Sequence, residues 1–120
     1  MMDRMEAFRI LASADRQLVL HELVEADDPT RIGAISRQVA ARRHRTPPQR
    51  IDEEKVERAR VRLIHSHLPR LREQELIDVD RDENEISLAD SDSTTQLFDA
   101  ANELDSWPPD DLLEHPARRR

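Results

Sequence analysis

The chain contains no cysteine, no tyrosine, one glycine, one tryptophan and two phenylalanines among its 120 residues. The absence of cysteine excludes disulfide bonds and thiolate chemistry. Because aromatic residues are so scarce, we expect an aliphatic core. No apolar run approaches the roughly 18 residues that a membrane span needs, and the first residues lack the apolar region of a secretory signal. These absences predict a cytoplasmic protein with one modest core and no membrane partner.

Charge is what the chain has in excess. Charged residues make up 38% of it, well above the usual quarter. Lys55 is the single lysine beside 18 arginines, and 14 aspartates exceed 12 glutamates. Abundant acid combined with arginine in place of lysine resembles the composition of proteins from halophilic archaea, whose solvated acidic surfaces stay soluble in concentrated salt. We therefore expect a haloarchaeal type of surface.

The charges are segregated along the chain. Residues 1–30 carry a net charge of −4, residues 31–72 carry +8, residues 73–117 carry −14, and residues 118–120 carry +3. The region from 31 to 72, called the basic segment below, is an island within an acidic chain. Segregation of this kind is more informative about binding partners than the total charge of −7.

Hydrophobic spacing and helix signals predict the secondary structure. Helical periodicity runs from about residue 5 to 25, with Ser13 as a possible internal N-cap. Gly33 is expected to turn the chain after an extended stretch at residues 30–32. A short helix over 34–43 and a long helix over 52–74 follow, and Asp52 is expected to be the N-cap of the long helix. Pro69 is expected to kink the long helix near Ser66.

The second half of the chain predicts a hairpin and a further helix. Two alternating runs, 76–80 and 85–88, are joined by a tight turn at 81–84. An amphipathic helix is expected over residues 91–106, capped by Ser91 or Ser93, and a flexible tail over 107–120. The order of helices followed by a hairpin indicates a mainly α protein with a small β-hairpin, a winged helix-turn-helix domain over residues 1–90.

Two stretches carry a family resemblance. Residues 10–23, ILASADRQLVLHEL, resemble the first helices of arsenical-resistance-repressor-type regulators, and residues 67–77, HLPRLREQELI, resemble the end of their recognition helix and the start of their wing. The chain is also similar to small haloarchaeal winged-helix proteins. Where those regulators usually have glycine at the helix end, this chain has Glu75. The resemblance implies a DNA-binding transcriptional regulator that dimerises through its terminal helices.

The basic segment supplies the predicted contacts to double-stranded DNA. We expect Arg58 and Arg62 of the long helix to enter the major groove, where guanidinium groups can bind guanine. The backbone phosphates would be held by the loop before it. The full predicted set is Arg37, Arg42, Arg43, Arg45, Arg50, Arg58, Arg62 and His65. The alternative is a solvated face balanced by acidic neighbours, and the acidic wing tip at 82–85 argues against wing contact.

The C-terminal helix is a candidate dimer seam. Its apolar face together with the first helix gives the predicted interface residues Phe8, Leu97, Phe98, Ala101 and Leu104. The alternative is that this helix packs on the first helix of its own chain. A rival function is a winged helix that binds another protein without binding DNA, which the acidic wing and C-terminal third favour.

The sequence offers little for catalysis or for a cofactor. No nucleophilic triad, glycine-rich phosphate loop or carboxylate pair is present, so an enzyme is not expected. His65 and His67 diverge on a helix, while His21 and Glu25, four residues apart, more often form a surface contact than a metal site. We expect no catalytic residues, no metal and no cofactor, and a half-buried His67 on the apolar face.

Overall fold

The computed structural model describes residues 2–105 and residue 107. Within these residues the protein is mainly helical, with a small antiparallel sheet, which confirms the predicted mainly α architecture with a β-hairpin. The elements are α1 (Arg4–Leu11), α2 (Ala14–Ala26), β1 (Thr30–Arg31), α3 (Ile32–His44), α4 (Glu53–Arg62), a π-helical turn (Leu63–His67), α5 (Leu68–Glu73), β2 (Ile77–Asp80), β3 (Glu85–Leu88) and α6 (Asp92–Ala101). The predicted tail lies outside the described residues except for Trp107.

Three predicted N-caps fix where helices begin. The side chain of Ser13 accepts the backbone N–H of Arg16 at 3.3 Å, and that of Asp52 accepts the N–H of Glu54 at 3.1 Å. Ser91 accepts the N–H of Thr94 at 3.1 Å at the start of α6. Each cap satisfies a backbone donor that the first helical turn leaves without a partner.

The long helix predicted over 52–74 is interrupted by a π-helical turn. The N–H of Leu68 bonds to the carbonyl of Leu63, five residues back, instead of four. Pro69 follows at once and has no N–H, so the ordinary hydrogen-bond ladder cannot continue through it. Leu63 and Leu68 are both buried, which shows that the wider turn keeps two residues five apart on the core face. The predicted kink site, Ser66, lies within this π-helical turn.

The three strands form one sheet in the order β1-β3-β2. The hairpin pairs Ile77 with Leu88 and Asp80 with Glu85, and β1 adds to its other edge by pairing Thr30 with Ile86. Gly33 does not turn the chain, contrary to expectation: it lies in the first turn of α3, within Ile32–His44, and its backbone has no positive φ. The turn before β1 is made by Asp27 in the left-handed conformation, with φ 59°.

α5 ends in a left-handed turn although it lacks glycine. Glu75 has φ 61°, and the next N–H, of Leu76, returns to the carbonyl of Leu71 at 3.0 Å. This closing bond is the pattern that usually follows a glycine. The carbonyl of Glu75 also accepts the hydroxyl of Ser91 at 2.8 Å, which ties the end of α5 to the start of α6.

The C-terminal helix packs on its own chain. α6 lies against α1, and Leu97 and Ala101 are fully buried in the main core. Phe8, Phe98 and Leu104 are partly buried against the same core. Two of the five predicted dimer residues are therefore buried in the core of their own chain, as expected if α6 packs on α1 of the same chain. Among the described residues, no helix is long and apolar enough to cross a membrane.

Candidate nucleic-acid interface

The loop between α3 and α4 is held in place by its own small core. Arg45 ends α3 in the left-handed conformation, with φ 55°, and its N–H bonds to the carbonyl of Ala41. Ile51, near the end of the loop, is buried in a cluster with Ala40, Val56 and Ala59. Because both ends of the loop are fixed, α3 and α4 present their basic side chains at a defined spacing.

Four cationic side chains act electrostatically on His44, the last residue of α3. Partial loss of solvation, followed by the charges of Lys55, Arg43, Arg62 and Arg58, lowers the pKa of the imidazole. These five residues, called the cationic cluster below, come from α3 and α4. Two carboxylates pair with cluster members: Asp15 with Arg43 and Arg62, and Glu54 with Arg58 at 3.5 Å. The cluster therefore keeps an excess of positive charge.

A buried aspartate lies behind the cationic cluster. Asp15, in the first turn of α2, is 3% exposed. Its two carboxylate oxygens accept separate bonds, from Nη1 of Arg43 at 2.7 Å and from Nε of Arg62 at 2.9 Å. Nε2 of His67 lies 3.3 Å from the second oxygen. One carboxylate thus joins α2 to α3, to α4 and to the π-helical turn.

The partners of Asp15 keep it ionised. Burial alone would raise the pKa of its carboxyl group, but hydrogen bonds from His67, Arg43 and Arg62, and the charge of Arg43, outweigh that cost. The pKa therefore lies well below its usual value. Arg43 and Arg62 keep 43% and 39% of their side chains exposed. Because a guanidinium has five N–H donors, both can bind Asp15 and still offer donors to solvent.

His67 is half-buried, as predicted, and its two ring nitrogens have different partners. Nδ1 lies 3.3 Å from Nη1 of Arg16, while Nε2 faces Asp15. Since an arginine can only donate, Nδ1 acts as the acceptor, which assigns the proton to Nε2. Arg16 also donates to the carbonyls of Ile10 and Arg9, at 2.8 Å and 3.0 Å, at the end of α1.

Arg42 and Arg37 differ from their neighbours in the basic segment. Arg42 is 9% exposed and its guanidinium bonds to Glu22 of α2 at 3.1 Å. It therefore faces the interior and is separated from the exposed cationic surface. Arg37 bonds to Glu53 at 2.5 Å and donates to the carbonyl of Pro48 at 3.2 Å. Its role in the structure is to fasten the α3–α4 loop.

The other predicted contacts are exposed. Arg45, Arg50 and His65 are exposed, and 64% of the Arg58 side chain is accessible. The structure brings Arg43, Arg58 and Arg62 together. Sequence reasoning missed His44 and Lys55, which stand beside them, and missed the buried role of Asp15. Only a prediction that the end of α3, residues 43–44, packs beside residues 55–62 of α4 could have placed these side chains in one cluster.

The β2–β3 hairpin has little positive charge at its tip. Its tip has the carboxylates of Asp82 and Glu83, and all residues from Arg81 to Asn84 are exposed. In the described part of the chain, no group of three acidic or histidine side chains is arranged to hold a metal ion. His21 and Glu25 form the expected surface contact, at 3.8 Å.

Residues 8–87 match a family described as a domain of unknown function, DUF7344. The match covers two thirds of the chain, so the chain belongs to this family. No curated protein and no solved structure gives a significant match.

Proposed function

We propose that the protein is a winged helix-turn-helix regulator that binds double-stranded DNA. The order of α2, β1, α3, α4–α5 and a β2–β3 hairpin, with β1 on the far side of β3, matches the arrangement of a helix-turn-helix followed by a wing. In this arrangement α4 is the recognition helix and α3 precedes it across the backbone. The proposal extends the mainly α architecture to a specific fold and role.

The cationic cluster is the observation that carries the proposal. Duplex DNA presents closely spaced phosphates, and affinity follows the number of phosphates that Lys and Arg neutralise. Arg43, Lys55 and Arg58 stand close enough to His44 to depress its pKa. A phosphate at this position would relieve their mutual repulsion. Arg58 and Arg62, one turn apart on α4, are the proposed contacts in the major groove.

Asp15 supports the same surface from behind. Its bonds to Arg43 and Arg62 fix two long side chains that would otherwise lose rotamer freedom on binding. The acidic residues at the start of α4 oppose DNA binding, because Glu54 forms an ion pair with Arg58 and partly neutralises its charge. We therefore expect binding that is moderate in strength and steeply dependent on salt.

Fluorescence anisotropy of a labelled duplex, titrated with the full chain at several KCl concentrations, tests the proposal. The Lys55→Gln/Arg58→Gln variant should weaken binding, and the loss of the Lys55 phosphate contact should reduce the slope of log K against log salt by about 0.9. Arg9→Gln/Arg81→Gln, which removes two exposed charges outside the cluster, is the matched control. Circular dichroism checks that every variant is folded at every salt concentration.

Two results would refute the proposal. The first is no saturable binding by folded protein at the lowest salt. The second is an equal loss of affinity in the control variant, which would show that total charge matters and the cluster does not.

A homodimer is part of the proposal, since two copies would place two α4 helices on one face of the DNA. With Leu97 and Ala101 buried inside the monomer, the interface would have to use Phe8, Phe98 and Leu104, which are partly buried. Light scattering with and without duplex gives the mass. A monomer on a single half-site would remove the dimer from the proposal and leave the cluster untouched.

A second candidate function is a protein-binding winged helix. Val61 and Ile64 are 47% and 38% exposed on α4 and the π-helical turn, where a DNA-reading helix would carry polar groups. A stoichiometric protein partner that is retained by the wild type and lost by Val61→Asp/Ile64→Asp, with no shift of duplex DNA, would favour this function over the first.

A further inference from the structure

A cleft separates the wing from the helix that precedes it. Its volume is about 260 Å³. Apolar side chains from two sides line it: Ile64 and Leu68 from the π-helical turn and α5, and Val79 from β2. Arg72 and Arg81 lie at the same cleft. The volume is slightly below the roughly 300–1,000 Å³ typical of small-molecule sites, so it suits a compact ligand.

The two arginines at the cleft are both exposed. In the part of the chain that the structure describes, neither guanidinium forms an ion pair or a hydrogen bond, in contrast to Arg43 and Arg62 of the cationic cluster. The carboxylate of Asp80, which precedes Arg81 in the chain, accepts the N–H groups of Asp82 and Glu83 at 3.0 and 3.1 Å. Both guanidinium groups at the cleft therefore keep donors for an anion.

The π-helical turn forms part of one wall of the cleft. Turns of this kind occur frequently at functional sites. An apolar wall and two unpaired cations define a ligand with an apolar body and an anionic end.

We propose that this cleft binds a small organic acid. The apolar body packs against Ile64 and Val79, and the carboxylate is held between Arg72 and Arg81 in charge-assisted hydrogen bonds. Such a ligand joins the wing to the long helix. The site is separate from the cationic cluster and goes beyond the proposed DNA binding, so each can fail without the other.

The probe is 3-phenylpropionate, followed by chemical shifts in ¹H–¹⁵N spectra of the full chain at constant ionic strength. We expect saturable shifts at Ile64, Leu68 and Val79, with a dissociation constant in the millimolar range or below. The neutral analogue 3-phenylpropanamide should bind about tenfold more weakly, because it lacks the charge that the arginines recognise. Inorganic phosphate, which has the charge without the apolar body, should also bind at least about tenfold more weakly.

Two variants separate the arginines from general charge. Arg72→Gln/Arg81→Gln should weaken probe binding about tenfold or more, while Arg9→Gln/Arg45→Gln should leave it within about twofold. Dispersed spectra show that each variant is folded. The proposal is overturned by no saturable shift in the cleft up to roughly 20 mM probe. It is equally overturned by phosphate or the amide binding as tightly as the acid, or by equal losses in the two double variants.

Discussion

Replacing Asp15 with asparagine tests the most connected charge in the protein. The substitution keeps the size and one oxygen of the side chain but removes the charge that Arg43, Arg62 and His67 share. Asp15 is 3% exposed, so water cannot replace the lost interaction at the carboxylate itself. The variant is left with two guanidinium groups facing a neutral amide.

The size of the effect follows from burial. Breaking a buried ion pair costs about 3–5 kcal/mol when the remaining charge stays buried. Arg43 and Arg62 keep 43% and 39% of their side chains in water, so part of that cost is recovered by solvation. We expect Asp15→Asn to lower the free energy of unfolding by about 2–3 kcal/mol. The melting temperature should fall by roughly 10 °C.

Urea denaturation followed by circular dichroism measures this loss. Asp99→Asn, an exposed aspartate in α6, is the matched control and should change stability by less than about 0.5 kcal/mol. Equal destabilisation of the two variants would refute the reasoning, because it would show that the burial of Asp15 and its three partners add nothing to the free energy of unfolding.

The same comparison gives a pH dependence. The pKa of Asp15 is lowered in the folded protein, so its stabilisation is present above the unfolded value of about 3.9 and lost as pH falls through the folded value. The stability difference between wild type and Asp15→Asn should therefore shrink as the pH falls below about pH 4. A difference that grew below that pH would contradict the lowered pKa.

Two further predictions concern α5 and α6. Glu75→Gly should stabilise the protein by about 0.5–1 kcal/mol, because Glu75 has φ 61° and glycine removes the steric cost of that conformation. Asn84→Gly, at φ 59°, should stabilise the protein less, since asparagine tolerates this region. Equal gains in the free energy of unfolding, measured by urea denaturation, would refute the argument. Leu97→Ala should cost about 2–4 kcal/mol independently of protein concentration, because Leu97 packs within its own chain; a loss that vanishes at tenfold higher concentration would indicate an intermolecular interface instead.

Local signals in the sequence were sufficient for most of the secondary structure. Ser13, Asp52 and Ser91 are short polar residues directly before periodic apolar runs, and each is an N-cap in the structure. The hairpin was predicted from two alternating runs, 76–80 and 85–88, and its strands differ from the prediction by at most one residue. These features depend on neighbours in sequence, which is why they could be predicted.

Backbone conformations that break local preferences could not be predicted. The single glycine sits in a helix where an added Cβ would meet nothing, while Asp27, Arg45, Glu75 and Asn84 take the left-handed turns. Tertiary packing holds Glu75 there, since Leu76 beside it is fully buried. The position of its one glycine therefore does not predict where the left-handed turns of this chain lie.

The candidate site shows why charge counting along the basic segment is incomplete. Arg42 and Arg43 are adjacent, yet consecutive helical positions point about 100° apart. Arg42 turns inward to Glu22, and Arg43 turns to Asp15 at the edge of the cationic cluster. Their acidic partners lie 20 and 28 residues away in sequence, so the net charge of +8 in the basic segment overstates what an incoming phosphate meets. The exposed excess is concentrated around His44, and any affinity for DNA should follow the substitution of Lys55 and Arg58 more closely than that of Arg42.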